Sequence, residues 1–280
     1  MDPTITSASL ASDADPRSPS LDDVGGRGQA SQRLLARHGL PVRWAGREAF
    51  TIVETGFGPG LDFLATWAAW RADPARSRRL HFIAIDEHPL GLADLARLQA
   101  AWPGQGALAA ELRDQWLPLL PGTHRLSLDD GRVTLDLIFG DVAQALTLLD
   151  ARADAFQLDN LAPAAFAQLT RLAAPGASLC STAVAEDVRL GLRAAGFAVA
   201  RQPDGAGDRQ VLEGRFEGDA APLVPPAERR ALVIGAGVAG TSVAERLAAR
   251  GWQVTVIDEA DGPGQGASGN KAGVFRPLPS

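Results

Sequence analysis

The stretch Phe50-Thr51-Ile52-Val53-Glu54-Thr55-Gly56-Phe57-Gly58-Pro59-Gly60-Leu61 decides how the chain is read. Its first four residues are an apolar run that reads as a buried parallel strand. Glycines at alternate positions then turn the chain toward a helix. Such a turn lets the backbone approach a nucleotide cofactor more closely than a Cβ would permit. The grammar returns at Ala231-Leu232-Val233-Ile234-Gly235-Ala236-Gly237-Val238-Ala239-Gly240. The glycine spacing differs between the two turns, so two different cofactors are expected. Residues 231–280 are too few for a cofactor domain of their own, so one complete domain plus the opening of another is expected.

Working outward from the first turn, residues 61–71 read as a helix with Leu61, Leu64, Trp67 and Ala68 on one face. Residues 80–85 are a second strand closed by Asp86-Glu87, and residues 93–102 are a helix that stops at Pro103. Residues 126–130 and 133–139 read as a hairpin or paired strands around Gly131. Helices at 142–149, 164–172 and 186–195 alternate with strands at 155–158 and 177–181, and a final strand pair runs from 197–201 to Phe216. This alternation implies a mostly parallel, doubly wound α/β sheet. Residues 1–24 are Ser- and Asp-rich and are expected to be disordered. Residues 32–38 form a short helix, and the first domain occupies 25–216. Residues 217–230, rich in Ala and Pro, read as a linker. A βαβ unit follows, with strands at 231–234 and 253–257 and a helix from Thr241 to Arg250.

Composition narrows the class. The 280 residues are 46% hydrophobic, enough for a core, and carry a formal net charge of −6. No apolar run reaches the ~20 residues that span a bilayer, and the N-terminus lacks a signal pattern. The single cysteine, Cys180, fits a reducing compartment, and the cytoplasm is the expectation. Residues 1–220 hold 21 Arg against 28 Asp or Glu. That is no basic stripe of the kind that advertises nucleic-acid binding. Arg43 and Arg47, and the group Arg71, Arg76, Arg78 and Arg79, read as solvated loop and helix-end residues.

The acids around the first turn suggest its ligand. Asp86, at the end of the second strand, is placed to accept from ribose hydroxyls, since a carboxylate takes two such bonds at once. Asp141 ends a later strand, where it is able to accept from an adenine amino group. Glu54, before the turn, welcomes a positive charge. Together with Gly56, Gly58 and Gly60 these acids suit S-adenosylmethionine, which has no phosphate to repel, whereas a dinucleotide sets its pyrophosphate on the helix N-terminus. Any one of these carboxylates taken alone reads equally as a helix cap. Asp159 closes the strand Phe156-Gln157-Leu158 and is the candidate for chemistry: an acceptor amine must be uncharged to attack, and a positioned carboxylate orients it and takes its proton. No metal site is expected.

Glu54 to Leu64, Phe139-Gly140-Asp141-Val142 and Leu158-Asp159-Asn160-Leu161-Ala162-Pro163 resemble the methyltransferase half of the bifunctional tRNA 5-methylaminomethyl-2-thiouridine biosynthesis proteins. Gly266-Ala267-Ser268-Gly269-Asn270 and Ala272-Gly273-Val274 resemble the flavin-binding start of that family's oxidoreductase half. The resemblance implies a Rossmann-like S-adenosylmethionine methyltransferase fold followed by an incomplete FAD-binding βαβ unit. It implies methylation of the 5-aminomethyl group on the wobble uridine in the tRNA anticodon loop. The flavin half of the family removes a carboxymethyl group, an activity not expected of this chain. By position, Glu54, Gly56, Phe57, Gly58, Gly60, Asp86 and Asp141 match the S-adenosylmethionine site, and Asp159 matches the acid facing the acceptor amine. Gly235, Gly237, Gly240, Asp258, Ser268 and Asn270 match the FAD fingerprint.

The chain departs from the family pattern on the acceptor side. The aromatic segment near the N-terminus is absent, Asn160-Leu161 replaces Gly-Phe, and the Trp-containing stretch after Ala162-Pro163 is missing. Two alternatives therefore stand beside tRNA methylation: a non-catalytic scaffold for the flavin enzyme, and a methyltransferase acting on a small amine.

Overall fold

Strand β1 (Ala49–Thr55) is the strand from which the first sheet grows in both directions. The computed structural model describes residues 33–159, 161–205, 209–219 and 228–270. β2 (Arg79–Asp86) and then β4 (Val133–Phe139) pair parallel on one side of β1. β5 (Ala153–Leu158) and β6 (Ala173–Ser181) pair parallel on the other. Antiparallel strands finish both edges, β3 (Gly122–Leu128) beside β4, and β8 (Gln210–Phe216) followed by β7 (Phe197–Pro203) beside β6. The order is β3-β4-β2-β1-β5-β6-β8-β7. The chain winds outward from β1 to β4 and then crosses back to β5, so the order reverses between β1 and β5. Open α/β sheets bind ligands outside the strand ends at such a reversal.

Alternation along the strands sorts the core into two layers. Phe50 and Ile52 of β1 meet Phe63, Trp67 and Trp70 of helix α1 (Leu61–Ala72), and the Phe63 ring stands edge-on to Phe82 at 5.2 Å. Val53, Ile83, Ile85, Phe156 and Leu179 face the other way. They pack against α4 (Val142–Leu148), α5 (Phe166–Leu172) and α6 (Glu186–Ala194). Each such side chain contributes about 1.5–3 kcal/mol relative to exposure.

Arg43 and Arg47 depart from the solvated role expected of them. Arg43 donates to Ser178 Oγ at 2.6 Å and to the carbonyls of Asp154 and Gly176, while Arg47 pairs with Asp154 at 2.7 Å. Both guanidiniums also lie over the Phe50 ring. The residues before β1 are thereby bolted onto β5 and β6. Ser178 Oγ also pairs with His38 Nδ1 at 2.8 Å, and its hydroxyl reaches the Asp154 carbonyl at 3.5 Å. Burial, reinforced by Arg43, Arg215 and Arg37, holds the fully buried His38 neutral with its pKa down at about 3.

Other differences are local. The paired strands around Gly131 are antiparallel as read, but β3 ends at Leu128. Asp129 and Asp130 make the reversal with φ of 51° and 57°. Helix α2 (Leu92–Gln99) ends short of Trp102, and α3 (Gly106–Asp114) was not anticipated. Pro103 reads as a helix stop, yet beyond it Leu108, Ala109 and Leu112 form a stripe that enters the core.

The chain divides into two compact units, Met1–Pro222 and Leu223–Ser280. In the second, β9 (Arg230–Ile234) and β10 (Gln253–Ile257) pair parallel through helix α7 (Val238–Ala249). The helix starts at Val238 rather than Thr241, because Gly237 is its N-cap and the turn leads straight into it. The disorder expected of residues 1–24 lies outside the described residues, as do 220–227 of the expected linker, Asn160, and Ala272-Gly273-Val274.

Candidate active site

Strand register assembles the site. β1 pairs β5 with Glu54 opposite Gln157, which carries Gly56 level with Asp159. A Cβ built on Gly56 would stand 3.7 Å from Asp159 Cβ. β1 pairs β2 with Thr55 opposite Ile85, which carries Gly56 level with Asp86. Gly56 donates to the Ile85 carbonyl at 2.8 Å, and Gly140 donates to the Asp86 carbonyl at 3.1 Å. The turn, Asp86 and Gly140-Asp141 therefore form one rim along three strand ends.

Within that rim the expected residues divide by what they touch. Glu54, Gly56, Phe57, Gly58 and Asp159 line a cavity of about 300 Å³. Asp86 sits behind the turn and braces it, accepting from Gly58 N and from His88 N, each at 2.9 Å. Gly60 serves the fold: its φ is +72°, and a Cβ there would meet the Phe57 ring at 2.6 Å. Phe57 is buried and stacks on Trp116 with ring centroids 6.1 Å apart. Asp141 caps α4 through Oδ1, accepting from Gln144 N at 2.7 Å, and lines a neighbouring cavity with Glu87 and His88.

The floor of the first cavity is acidic. Gln157 Nε2 donates to Glu54 Oε1 at 3.2 Å and to Asp62 Oδ2 at 2.5 Å. Among the described residues, Glu54 Oε2 is buried without a hydrogen-bond partner. Burial first, then the charges of Asp62 and Asp86, push the Glu54 carboxyl well above its ordinary range. A buried acid of this kind is relieved by a cation. The first turn of α1 carries Asp62, which opposes a phosphate there. A sulfonium cofactor with an α-ammonium group fits this donor set, and Glu54, Asp62 and Gln157 are the residues able to hold the ammonium. Burial pushes the Cys180 thiol, in the same wall, up to about 12.

Asp62, Gln157, Thr55 and Thr182 were not singled out from the sequence. Gln157 did leave a signal, a polar residue inside the otherwise apolar run 155–158. Thr55 and Thr182 left none, since their partner is Asp159, far along the chain.

The second turn repeats the bracing. Gly235 donates to the Ile257 carbonyl at 2.7 Å, and Asp258 accepts from Ala236 N at 2.5 Å and from Ala260 N at 2.9 Å. The bond from Ala236, then that from Ala260, hold the Asp258 carboxyl below its usual range. Gly240 is obligatory, because a Cβ would enter the Gly235 carbonyl oxygen. Ser268 Oγ accepts from Val238 N at 3.1 Å, at the α7 N-terminus. The first turn of α7 carries no acid, so unlike α1 it offers an anion a favourable end. Asn270 is exposed beyond Ser268.

Comparison with known proteins assigns the class. Residues 103–217 match a family described as S-adenosyl-L-methionine-dependent methyltransferase, and residues 230–280 match one described as FAD dependent oxidoreductase. The chain is an S-adenosylmethionine-dependent methyltransferase fold joined to a fragment of an FAD-dependent oxidoreductase fold. In sequence it corresponds to the tRNA 5-methylaminomethyl-2-thiouridine biosynthesis bifunctional proteins. It is 57% identical to the one from Azoarcus sp. (strain BH72), over 99% of this chain and 46% of that protein. It is 53% identical to the one from Aromatoleum aromaticum, over 96% and 45%, and 47% identical to the one from Thiobacillus denitrificans, over 95% and 46%. The chain thus spans a little under half the length of these relatives. Among the described residues no helix is long and apolar enough to cross a membrane.

Proposed function

We propose that the first unit methylates the 5-aminomethyl group of 5-aminomethyl-2-thiouridine at the tRNA wobble position. The observation that carries this reading is the match to the bifunctional relatives across both units, in the same order, over nearly the whole chain. In this reading Glu54, Gly56, Phe57, Gly58 and Gly60 form or shape the S-adenosylmethionine site, with Asp86 toward the ribose and Asp141 toward the adenine. Gly235, Gly237, Gly240, Asp258, Ser268 and Asn270 are the corresponding FAD residues, which in the whole protein serve removal of the carboxymethyl group.

When bound, S-adenosylmethionine supplies an electrophilic methyl group on a positively charged sulfur. Asp159, at the cavity edge, accepts a hydrogen bond from the acceptor amine and keeps its lone pair on line with that methyl. Orientation of this kind supplies roughly 7–11 kcal/mol of a barrier. With the cofactor in place, Asp159 would take the proton that the amine nitrogen loses on methylation and pass it to water. The wobble base lies in a single-stranded loop and can be splayed into a cavity without unpairing a duplex. Arg37 and Arg209 line the cavity. Arg37 is already engaged by Glu213 and Asp204, so Arg209 is the residue offered to an RNA phosphate.

The test is transfer of labelled methyl from S-adenosylmethionine to tRNA bearing the aminomethyl base. Asp159→Asn should slow transfer by on the order of 10²–10⁴-fold while cofactor affinity stays unchanged. No incorporation by the unaltered chain would overturn the proposal. Transfer to small amines but not to tRNA would favour the small-amine alternative, and cofactor binding with no transfer at all would favour the scaffold.

A further inference from the structure

We propose that Thr55 and Thr182 are the positioning residues of Asp159, Thr55 fixing its main chain and Thr182 the direction of its carboxylate. The inference rests on the reading of Asp159 as the acceptor-facing acid.

Thr55 ends β1, one residue before the glycine turn, and is 1% exposed. Its Oγ1 accepts from Asp159 N at 2.8 Å and donates to the Asp159 carbonyl at 2.9 Å. One hydroxyl thereby satisfies both main-chain polar groups of Asp159. It ties them to the backbone that turns at Gly56. The height of the acid above the sheet is set by the same strand that sets the cofactor turn.

Thr182 follows β6 directly, and its amide donates to the Leu158 carbonyl at 3.2 Å. Its Oγ1 donates to Asp159 Oδ1 at 2.6 Å. With Oδ1 held on that side, Oδ2 points across Gly56, 3.9 Å from where a Cβ there would stand. An acid free to swing about χ1 turns its carboxylate toward the amine in one rotamer and away from it in the others. A carboxylate with one oxygen tied presents the other. Asp159 and Thr182 are both exposed, so no core packing fixes the acid's rotamer. Thr182 does so through a single bond, and its own fold-stabilising role is small.

The experiment uses the full chain with Thr182→Val and Thr182→Ser, each alone and combined with Asp159→Asn. Thr182→Val should lower kcat ~10-fold with cofactor affinity unchanged, as expected for loss of a hydrogen bond to a charged group. Thr182→Ser should restore the rate. In the Asp159→Asn background, Thr182→Val should cost less than ~2-fold, because the two residues act as one unit. Equal losses in both backgrounds would overturn the proposal.

A second readout needs no turnover: side-chain carbon couplings that report χ1 of Asp159. They should give one rotamer in the unaltered chain and in Thr182→Ser, and an average in Thr182→Val. A single rotamer in Thr182→Val would overturn the positioning role. An unchanged rate in Asp159→Asn would remove the acid from the chemistry, while the couplings still decide whether Thr182 orients it.

Discussion

The molecule builds the same strand, glycine turn and helix twice, and brace for brace the two copies agree. In each, the first glycine donates to the carbonyl before an acid, and that acid accepts one amide from the turn and one from two residues beyond itself. They differ in what surrounds the brace. Val53 and Ile85 of the first unit are 0% exposed, whereas the corresponding Leu232 and Ile257 of the second are 61% and 46% exposed. The first turn is walled by Glu54, Asp62 and Asp159, and the second has no acid in the first turn of its helix. The turn alone thus specifies that a nucleotide-type ligand can approach. The neighbours make the first turn suited to a cation and leave the helix end at the second free of acid, where an anion is favoured.

The comparison is broken most severely at the glycines. Gly240→Ala should unseat α7 from β9, because its Cβ meets a backbone carbonyl that cannot move aside. Amide exchange across 230–257 should then lose its protection. Gly58→Ala meets no atom within 4 Å and costs only the left-handed backbone, roughly 1–2 kcal/mol, with the fold retained. Preserved exchange protection in Gly240→Ala would contradict the close packing described.

The braces come next. Asp86→Ala should weaken S-adenosylmethionine binding ~10–100-fold, by loss of charge-assisted hydrogen bonds and of the turn's support. Asp258→Ala, at the matching place in the second unit, should leave that affinity unchanged and speed exchange of the Ala236 and Ala260 amides. Equal effects on S-adenosylmethionine would mean that the two turns are not separate sites.

A smaller difference lies in acid stability. His38 of the first unit stays neutral down to about pH 3, whereas the unfolded chain takes up a proton near 6.5. Between those values the unfolded state binds more protons, so stability falls as pH falls. Asp258 in the second unit, with its pKa lowered, loses stability only as pH falls below the carboxylate range. Denaturant titrations at pH 7 and pH 5 should show weakening of the first unit that is flattened in His38→Gln. Parallel curves for the two proteins would exclude His38 as the cause.

Much of this was legible in sequence where the signal is local. The apolar run into Gly56, the acid after Ile85 and the alternation of strands and helices fix the doubly wound sheet, since each depends on neighbours a few residues apart. Helix α3 was hidden because Pro103 reads as a stop and the short apolar stripe beyond it is satisfied only by tertiary packing. The start of α7 was misplaced because Thr241 resembles a cap, although Gly237 already begins the helix. Arg43 and Arg47 looked like surface charges because their partners, Asp154, Gly176 and Ser178, are more than a hundred residues away. The meeting of Glu54, Asp62 and Gln157 depends on the pairing of β1 with β5, which no local pattern reveals.

The most direct test of the two-turn account is calorimetric titration of the 280-residue chain with S-adenosylmethionine, alongside the visible spectrum of the purified protein. One S-adenosylmethionine should bind per chain, weakened by Asp86→Ala and indifferent to Asp258→Ala, and the protein should be colourless. No heat of binding, or S-adenosylmethionine binding lost with Asp258 rather than Asp86, would contradict the two-turn account.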